Sequence, residues 1–583
     1  MGLSKKTKLI VSLALTLSLT SALITGCTSN KASSSNSTES TVTSSNTVLT
    51  YTQSTEQTTV YGKVKGSEVN DGNTLLWQGI PYAKAPTGEL RWKAPETPES
   101  WDDVFDATTS GNVGIQLSNN KVIGSEDCLN LDIYRPNSDE NNLPVLLFIH
   151  GGNNQTGTSA EIDAKKLAVN ANCIVVSINY RLGALGFNSL PALKTGNEYE
   201  DSGNYTLLDI AKSLDWIKEN ITAFGGNPDN ITASGFSAGG RDIMAMLISP
   251  LFKDKFQKAI AFSGGMTVAD PEESAKTIAK AISPLVVEDK VKDNEEDAYN
   301  WLLTDDTEVK DYLYSLSAER LSSLMGNASI RMSVFPHLYT DGTVLPKEGF
   351  DTTEYNNVPV IMVTGSNEFS LFGRNDKYFA SYDNETLLND EELSKELDFT
   401  LKYGSKLYEL FNAEESAIKM FDNYSAPIYT CDFTWGNNAE IVGEEMAKFV
   451  GAYHGVFLPF LTDTVTGFGA SYPESFDNNG AKDLTSKFTS YIANFLWNDN
   501  PNGDDLVQWN SWTSSSEGPT QLILNADSNN AIITMSQDRT SYDSILKEID
   551  EDNSISQDAK NKIISEVLNG RWFSAGLDKH FNN

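Results

Sequence analysis

"NITASGFSAGGRD", residues 230–242, is the stretch on which the reading of this chain turns. Its centre, Gly235-Phe236-Ser237-Ala238-Gly239, has the form G-x-S-x-G, a pattern that can mark the serine of a hydrolase. The pattern alone is weak. With glycine at about 7% and serine at roughly 10% of the residues, about 0.3 such matches arise by chance in a chain this long. Its weight comes from its setting. "NITASG" reads as a strand, Ser237 as a turn, and "AGGRDIMAMLISP" as a helix stopped by Pro250. A serine between strand and helix, with glycines on either side to relieve crowding, has its hydroxyl aimed outward beside the first helical N–H groups.

The same alternation extends in both directions. "LPVLLFI" (143–149) and "CIVVSINY" (173–180) are nearly unbroken apolar runs, as strands buried on two faces require. "YTLLDIAKSLDWIKENI" (205–221) sets Leu207, Leu208, Ala211, Leu214 and Ile217 at helical spacing. Further strands are expected at 258–264, 358–366 and 520–526. Strands alternating with helices predict an α/β fold with a largely parallel sheet covered on both sides. No internal repeat or inner linker breaks the pattern, which predicts one large domain over residues 59–583. Residues 537–583 read as a C-terminal helical segment, with two helices over 540–574 and Trp572 and Phe573 available to pin the second.

Composition bounds the function. The 583 residues are 39% hydrophobic and 10% aromatic, as in a globular protein. A formal charge of −35 argues against nucleic acid as a partner, because a phosphate backbone repels such a surface. Anionic lipid headgroups are repelled likewise, so attachment to a membrane needs a different device. The N-terminus offers one. "MGLSKKTKLIVSLALTLSLTSALITGC" has three lysines ahead of an apolar run from Leu9 to Ile24, the layout of a secretory signal over residues 1–26. Ile24-Thr25-Gly26-Cys27 resembles the lipobox of bacterial lipoproteins, which implies acylation of Cys27 and a chain held at a bacterial cell membrane, facing outward. Residues 27–58 read as a flexible tether, since 14 of the 23 residues after Cys27 are Ser or Thr. Such a coil holds the domain on the order of 30 Å from its anchor. Cys173 sits in an apolar run and is expected as a buried thiol. Whether Cys128 and Cys431 meet is open, and no disulfide is expected.

Several separate stretches resemble one family, the type B carboxylesterases, the cholinesterase-like branch of the α/β hydrolases. They are "WQGIPYAKAPTGELRWKAP" (77–95), "SEDCLNLDIYRP" (125–136), "LLFIHGG", "NYRLGALGF" (179–187), "GNYTLLDIAKSLDWIKENITAFGGNPDNIT" (203–232), "GFSAGG", "VPVIMVTGSNEFSLF" and "GAYHGVFLPF", in the family's order from about residue 58 to 535. The resemblance implies the α/β-hydrolase fold, a large mostly parallel sheet with helices on both faces and helical insertions forming a cap. It also implies roles: Ser237 as nucleophile, Glu368 as the acid and His454 as the base, with the backbone N–H groups of Gly152, Asn153 and Ala238 as the oxyanion hole. The histidines lead independently to the same base. His150 lies beside two glycines and reads as a loop brace, His337 as a loop residue and His580 as part of a fraying terminus, which leaves His454.

The chain departs from the family in three places. Phe236 stands where a Glu usually precedes the nucleophile, which requires an apolar pocket. The oxyanion loop runs His150-Gly151-Gly152-Asn153-Asn154 in place of three glycines and an aromatic; Asn keeps the N–H and tolerates a positive φ. Asp242 stands where a small residue, often Ser, touches the acid, and is expected to support Glu368 or share its role. The cysteine that often pairs with Cys128 in the family has no counterpart between Cys27 and Cys128.

The expected function is hydrolysis of carboxylic esters through an acyl-enzyme, with a small-molecule ester as partner and no metal or organic cofactor. A non-catalytic binding or adhesion module on the same fold stays open, although all three triad members stand. So does an amidase or lactonase using the same residues. Phe236, Phe369, Phe372, Trp435 and Phe457 suggest an apolar pocket, which core packing explains equally well. Oligomeric state and acyl or alcohol preference are not readable.

Overall fold

The apolar runs that read as doubly buried strands lie at the centre of an eleven-stranded mixed sheet. In the computed structural model, which describes residues 49–326 and 330–583, its strands are β1 (Ser67–Val69), β2 (Thr74–Pro81), β3 (Asn130–Pro136), β4 (Leu143–Ile149), β5 (Ile174–Ile178), β6 (Gly226–Phe236), β7 (Lys258–Phe262), β8 (Val360–Gly365), β9 (Ile428–Phe433), β10 (Gln521–Ala526) and β11 (Ala531–Met535). Their order across the sheet is β11-β10-β9-β8-β7-β6-β4-β5-β3-β2-β1. The seven strands from β5 through β4 and β6 to β10 run parallel, and the pairs at either flank are antiparallel. The flanks are where alternation with helices fails as a guide: β1 and β2, and β10 and β11, are joined by short loops, and the long segment from β2 to β3 holds no α-helix.

All seven side chains of β4 are buried. Val145, Leu147 and Ile149 face one apolar cluster, Leu146 and Phe148 the other, as the two-residue period of a strand dictates. The first cluster takes in the helices α1 (Tyr205–Asn220) and α2 (Ala238–Ile248). Leu207, Leu208, Ala211, Leu214 and Ile217 are all buried, as their spacing predicts. α2 ends at Ile248, two residues ahead of Pro250. The loop after β5 is tied to α1 by a buried ion pair, Arg181 to Asp209 at 2.7 Å. Removing either partner would strand a charge, at about 3–5 kcal/mol.

A third cluster joins α3 (Glu391–Asn412) to the C-terminal segment. Residues 540–574 hold the two helices expected there, α5 (Tyr542–Glu551) and α6 (Gln557–Ile563); a third, α7 (Ala575–Phe581), follows them, and α4 (Asn479–Asn498) precedes them. Trp572 and Phe573 lie in the link between α6 and α7, both buried.

The described residues, 49–326 and 330–583, belong to one compact unit. The signal segment, Cys27 and most of the tether lie outside the described residues. The tether's expected end at 58 is too late, because its last residues are folded. Glu56–Thr59 pairs antiparallel with Gly62–Lys65. The Tyr51 hydroxyl donates to the Ser138 carbonyl at 2.9 Å, and the Arg135 guanidinium lies 3.7 Å above its ring. Serine and threonine content masks this start of the domain, which is held by Tyr51, by strand pairing and by the Thr55 carbonyl, an acceptor for the Trp77 indole N–H at 2.8 Å. Cys128, Cys173 and Cys431 are free and buried. A chain starting at residue 59 is expected to melt at least about 3 °C below one starting at residue 48; equal melting temperatures by calorimetry would show that residues 48–58 add nothing.

Candidate active site

Ser237 occupies the single residue between β6 and α2, with φ +56° and ψ −112°. This conformation costs a residue with a side chain about 1–3 kcal/mol, so the surroundings must enforce it. They do so through close backbone packing. A Cβ on Gly235 would stand 2.4 Å from the carbonyl carbon of Gly239, and one on Gly239 would stand 2.1 Å from the Ile149 carbonyl oxygen. Gly264, just past β7, approaches Gly240 as closely. The Ser237 N–H donates to the Phe262 carbonyl at 2.8 Å. Glycine is needed at these points because three strands and a helix meet there.

Glu368 follows β8 and is fully buried. Its Oε1 accepts from the Gly365 N–H at 2.8 Å, from the Thr364 hydroxyl at 3.2 Å and from the Ser263 hydroxyl. Its Oε2 meets Nδ1 of His454 at 2.5 Å. A carboxylate on Nδ1 holds the imidazole proton there and leaves Nε2 as the basic nitrogen. That Nε2 is buried and has no hydrogen-bond partner among the described residues. The imidazole lies against Phe236, Phe372 and Tyr408, with ring centroids at 4.8, 5.3 and 5.4 Å. The structure thus brings His454 onto the residue that precedes Ser237. Phe236 has the apolar pocket its presence requires, completed by Phe457. Of the aromatics noted in the sequence, Phe369 and Trp435 belong to core packing, against Phe573 and Phe476 respectively.

The loop after β4 supplies backbone donors. Gly152, Asn153 and Asn154 have φ of +95°, +59° and +55°. Among the described residues no acceptor takes the backbone N–H of Gly152, Asn153 or Ala238. The loop is braced from behind. The Gly151 N–H donates to Glu161 at 2.7 Å, and the His150 ring stacks on Tyr180 at 4.2 Å. Burial pushes the His150 pKa down to about 4, so this histidine is a neutral brace.

Two expectations change. Asp242 makes no hydrogen bond to Glu368; it accepts from the Asn154 amide at 2.9 Å instead. The side chains that support the acid are Ser263, on the loop after β7, and Thr364, near the end of β8, because helix α2 directs Asp242 toward the loop after β4. Ser263, in "FSGG" after a buried strand, has a signal of its own in the glycine pair that follows it. His337 is more than a loop residue: it is fully buried and its Nε2 accepts from Arg241 Nη1 at 2.5 Å. Burial and that guanidinium hold its pKa well below the usual value. His580 lies within α7, 3.0 Å from Asp550. Among the described residues no group of three His, Cys, Asp or Glu is placed to hold a metal ion.

The profile of the Carboxylesterase family matches residues 53–424. The chain belongs to the carboxylesterase family. It is 31% identical over 502 residues to para-nitrobenzyl esterase of Bacillus subtilis (strain 168), a match covering 81% of this chain and 94% of that protein. It is 30% identical over 511 residues to the cocaine esterase of Homo sapiens, covering 78% and 85%. A solved PNB esterase structure superposes with a TM-score of 0.65 at 29% identity, over 85% of this chain and 99% of the other. The protein is therefore a carboxylic ester hydrolase on the α/β-hydrolase fold.

Two carboxyls of this carboxylesterase flank the loop, Asp242 fully buried and Glu161 partly so. Burial pushes Glu161 and Asp242 each up to about 7, against an unfolded value near 4. Between about pH 4 and 7 the folded chain holds protons that the unfolded chain releases, so the stability they contribute is lost as pH rises through 7. Glu161→Gln, which keeps an acceptor for Gly151, is expected to gain melting temperature relative to the parent at pH 8 but not at pH 5. A difference independent of pH would contradict this.

Proposed function

We propose that Ser237, His454 and Glu368 are the catalytic triad of this ester hydrolase. His454 Nε2 takes the proton of the Ser237 hydroxyl as its oxygen attacks the ester carbonyl, because an alcohol is a poor nucleophile at neutral pH without an adjacent base. Glu368 holds the imidazole and stabilises the cation that forms. The carbonyl oxygen becomes an oxyanion, received by the N–H groups of Gly152, Asn153 and Ala238, each worth about 10²–10³ in rate. His454 returns the proton to the departing alcohol, and water then releases the acyl group by the same steps. The observation that carries this reading is the Glu368–His454 contact of 2.5 Å beneath an elbow that presents Ser237.

The N-terminal pattern supports attachment of the mature chain through a lipid on Cys27 to the outer face of a bacterial membrane, with the Ser/Thr-rich segment as spacer. No described helix is long and apolar enough to cross a membrane. The apolar rings of Phe236 and Phe372 beside His454 favour uncharged ester groups near the base.

Hydrolysis of a short p-nitrophenyl ester series by the domain beginning at residue 48 tests the triad. Ser237→Ala and His454→Ala are each expected to lower kcat by at least about 10⁴. Full activity in either would remove that residue from the mechanism. Incorporation of labelled palmitate into the full chain but not into Cys27→Ser is the expected sign of the anchor; equal labelling of both would refute it.

A further inference from the structure

Two departures from the family pattern meet across the active site. Asn153 and Asn154 follow Gly152 on the loop after β4, and Arg241 and Asp242 lie four and five residues past Ser237 on α2. They join as consecutive pairs. Arg241 Nη2 donates to the Asn153 Oδ1 at 3.3 Å, and Asn154 Nδ2 donates to the Asp242 Oδ1 at 2.9 Å. Asn154, Arg241 and Asp242 are all fully buried. Each rung is held from behind. The Tyr180 hydroxyl lies 3.2 Å from Asn154 Oδ1, and the Gly183 N–H donates to the Asn154 carbonyl at 2.7 Å. The Arg241 guanidinium lies 3.5 Å from the Trp572 ring and donates to His337.

These contacts have a cost. The side-chain partners of Arg241 are Met332, His337 and Asn153, none of them a carboxylate, and its Nε is unpartnered, while Asp242 Oδ2 is buried without a partner. Asparagine at a positive φ twice in succession adds backbone strain. A loop of glycines meets the same backbone demand with less strain but is held by fewer contacts. Donors to an oxyanion accelerate a reaction only when they are already aimed and need no reorganisation. A loop whose two asparagines are each bonded to the helix that carries Ser237 moves with that helix as one body.

We propose that Asp242 and Arg241 are positioning residues that clamp the loop to the nucleophile helix and so set the oxyanion hole. Asp242, through Asn154, forms the stronger rung, its bond being the shorter of the two. The proposal rests on the reading of Ser237 as the nucleophile. It extends the active site to the C-terminal segment, since Trp572 covers the Arg241 rung.

The test compares Asp242→Ala, Asp242→Asn and Asn154→Ala for kcat, KM, melting temperature and inhibition by a trifluoromethyl ketone, whose adduct places an oxyanion in the hole. Asp242→Ala is expected to lower kcat by about 30–300-fold, with KM within about threefold and ketone affinity weakened by a similar factor. Asp242→Asn, which keeps an acceptor for Asn154, is expected to recover kcat to within about fivefold of the parent. Asn154→Ala cuts the same rung from the loop side and is expected to reproduce the Asp242→Ala loss, so the rung is tested even if one variant fails to fold. A folded Asp242→Ala or Asn154→Ala with kcat and ketone affinity within threefold of the parent overturns the proposal. So does an Asp242→Asn as impaired as the alanine variant. If instead Ser237→Ala keeps parental turnover, the nucleophile assignment fails, and that result is separate from the clamp.

Discussion

The active site depends on how closely peptide backbones approach one another at the end of β6. Gly235 and Gly239 touch across the elbow, Gly239 touches the end of β4, and Gly240 touches Gly264 past β7. No side chain fits at these points. Their contact forces Ser237 into a positive φ, and packing of the two apolar clusters supplies the free energy that holds it there. Strain at one residue is small beside a sheet with both faces buried, where each large apolar side chain contributes about 1.5–3 kcal/mol. The conformation that exposes the hydroxyl is therefore secured by residues that take no part in chemistry.

The remaining groups hang from the same strand ends. β8 leads to Glu368, whose Oε1 is held by a backbone N–H and two hydroxyls, leaving Oε2 to the imidazole. β4 leads to the loop with the free N–H groups, and β7 leads to Ser263. Parallel strands deliver all these to one edge of the sheet, which is why residues more than two hundred positions apart share a site. His454 comes from outside the sheet, and aromatic rings on three sides orient it.

Much of this was legible in sequence. Apolar runs located β4, β5 and the strands after them because doubly buried strands leave a compositional mark. The elbow was legible because glycine is required by sterics, and the four histidines were few enough to sort. The antiparallel flanks were not legible, since polar residues interrupt their apolar runs, Gln78 in β2 and Asn130, Asp132 and Arg135 in β3. The role of Asp242 was misjudged because spacing along a helix says which face a residue occupies, not which loop lies opposite. Arg241 and His337 could not be paired from sequence: their contact joins residues 96 apart through a loop of no regular pattern. Trp572 was expected to pin a helix, and it also covers a buried guanidinium beside the catalytic loop.

The central claim is that this fold presents one activated hydroxyl. Reaction of the domain with an alkyl p-nitrophenyl phosphonate, followed by peptide mass spectrometry, tests it most directly. The account predicts one adduct per chain, on the peptide containing Ser237, formed far more slowly when His454 is replaced by alanine. An unmodified Ser237 peptide, or an adduct on another residue, would contradict it.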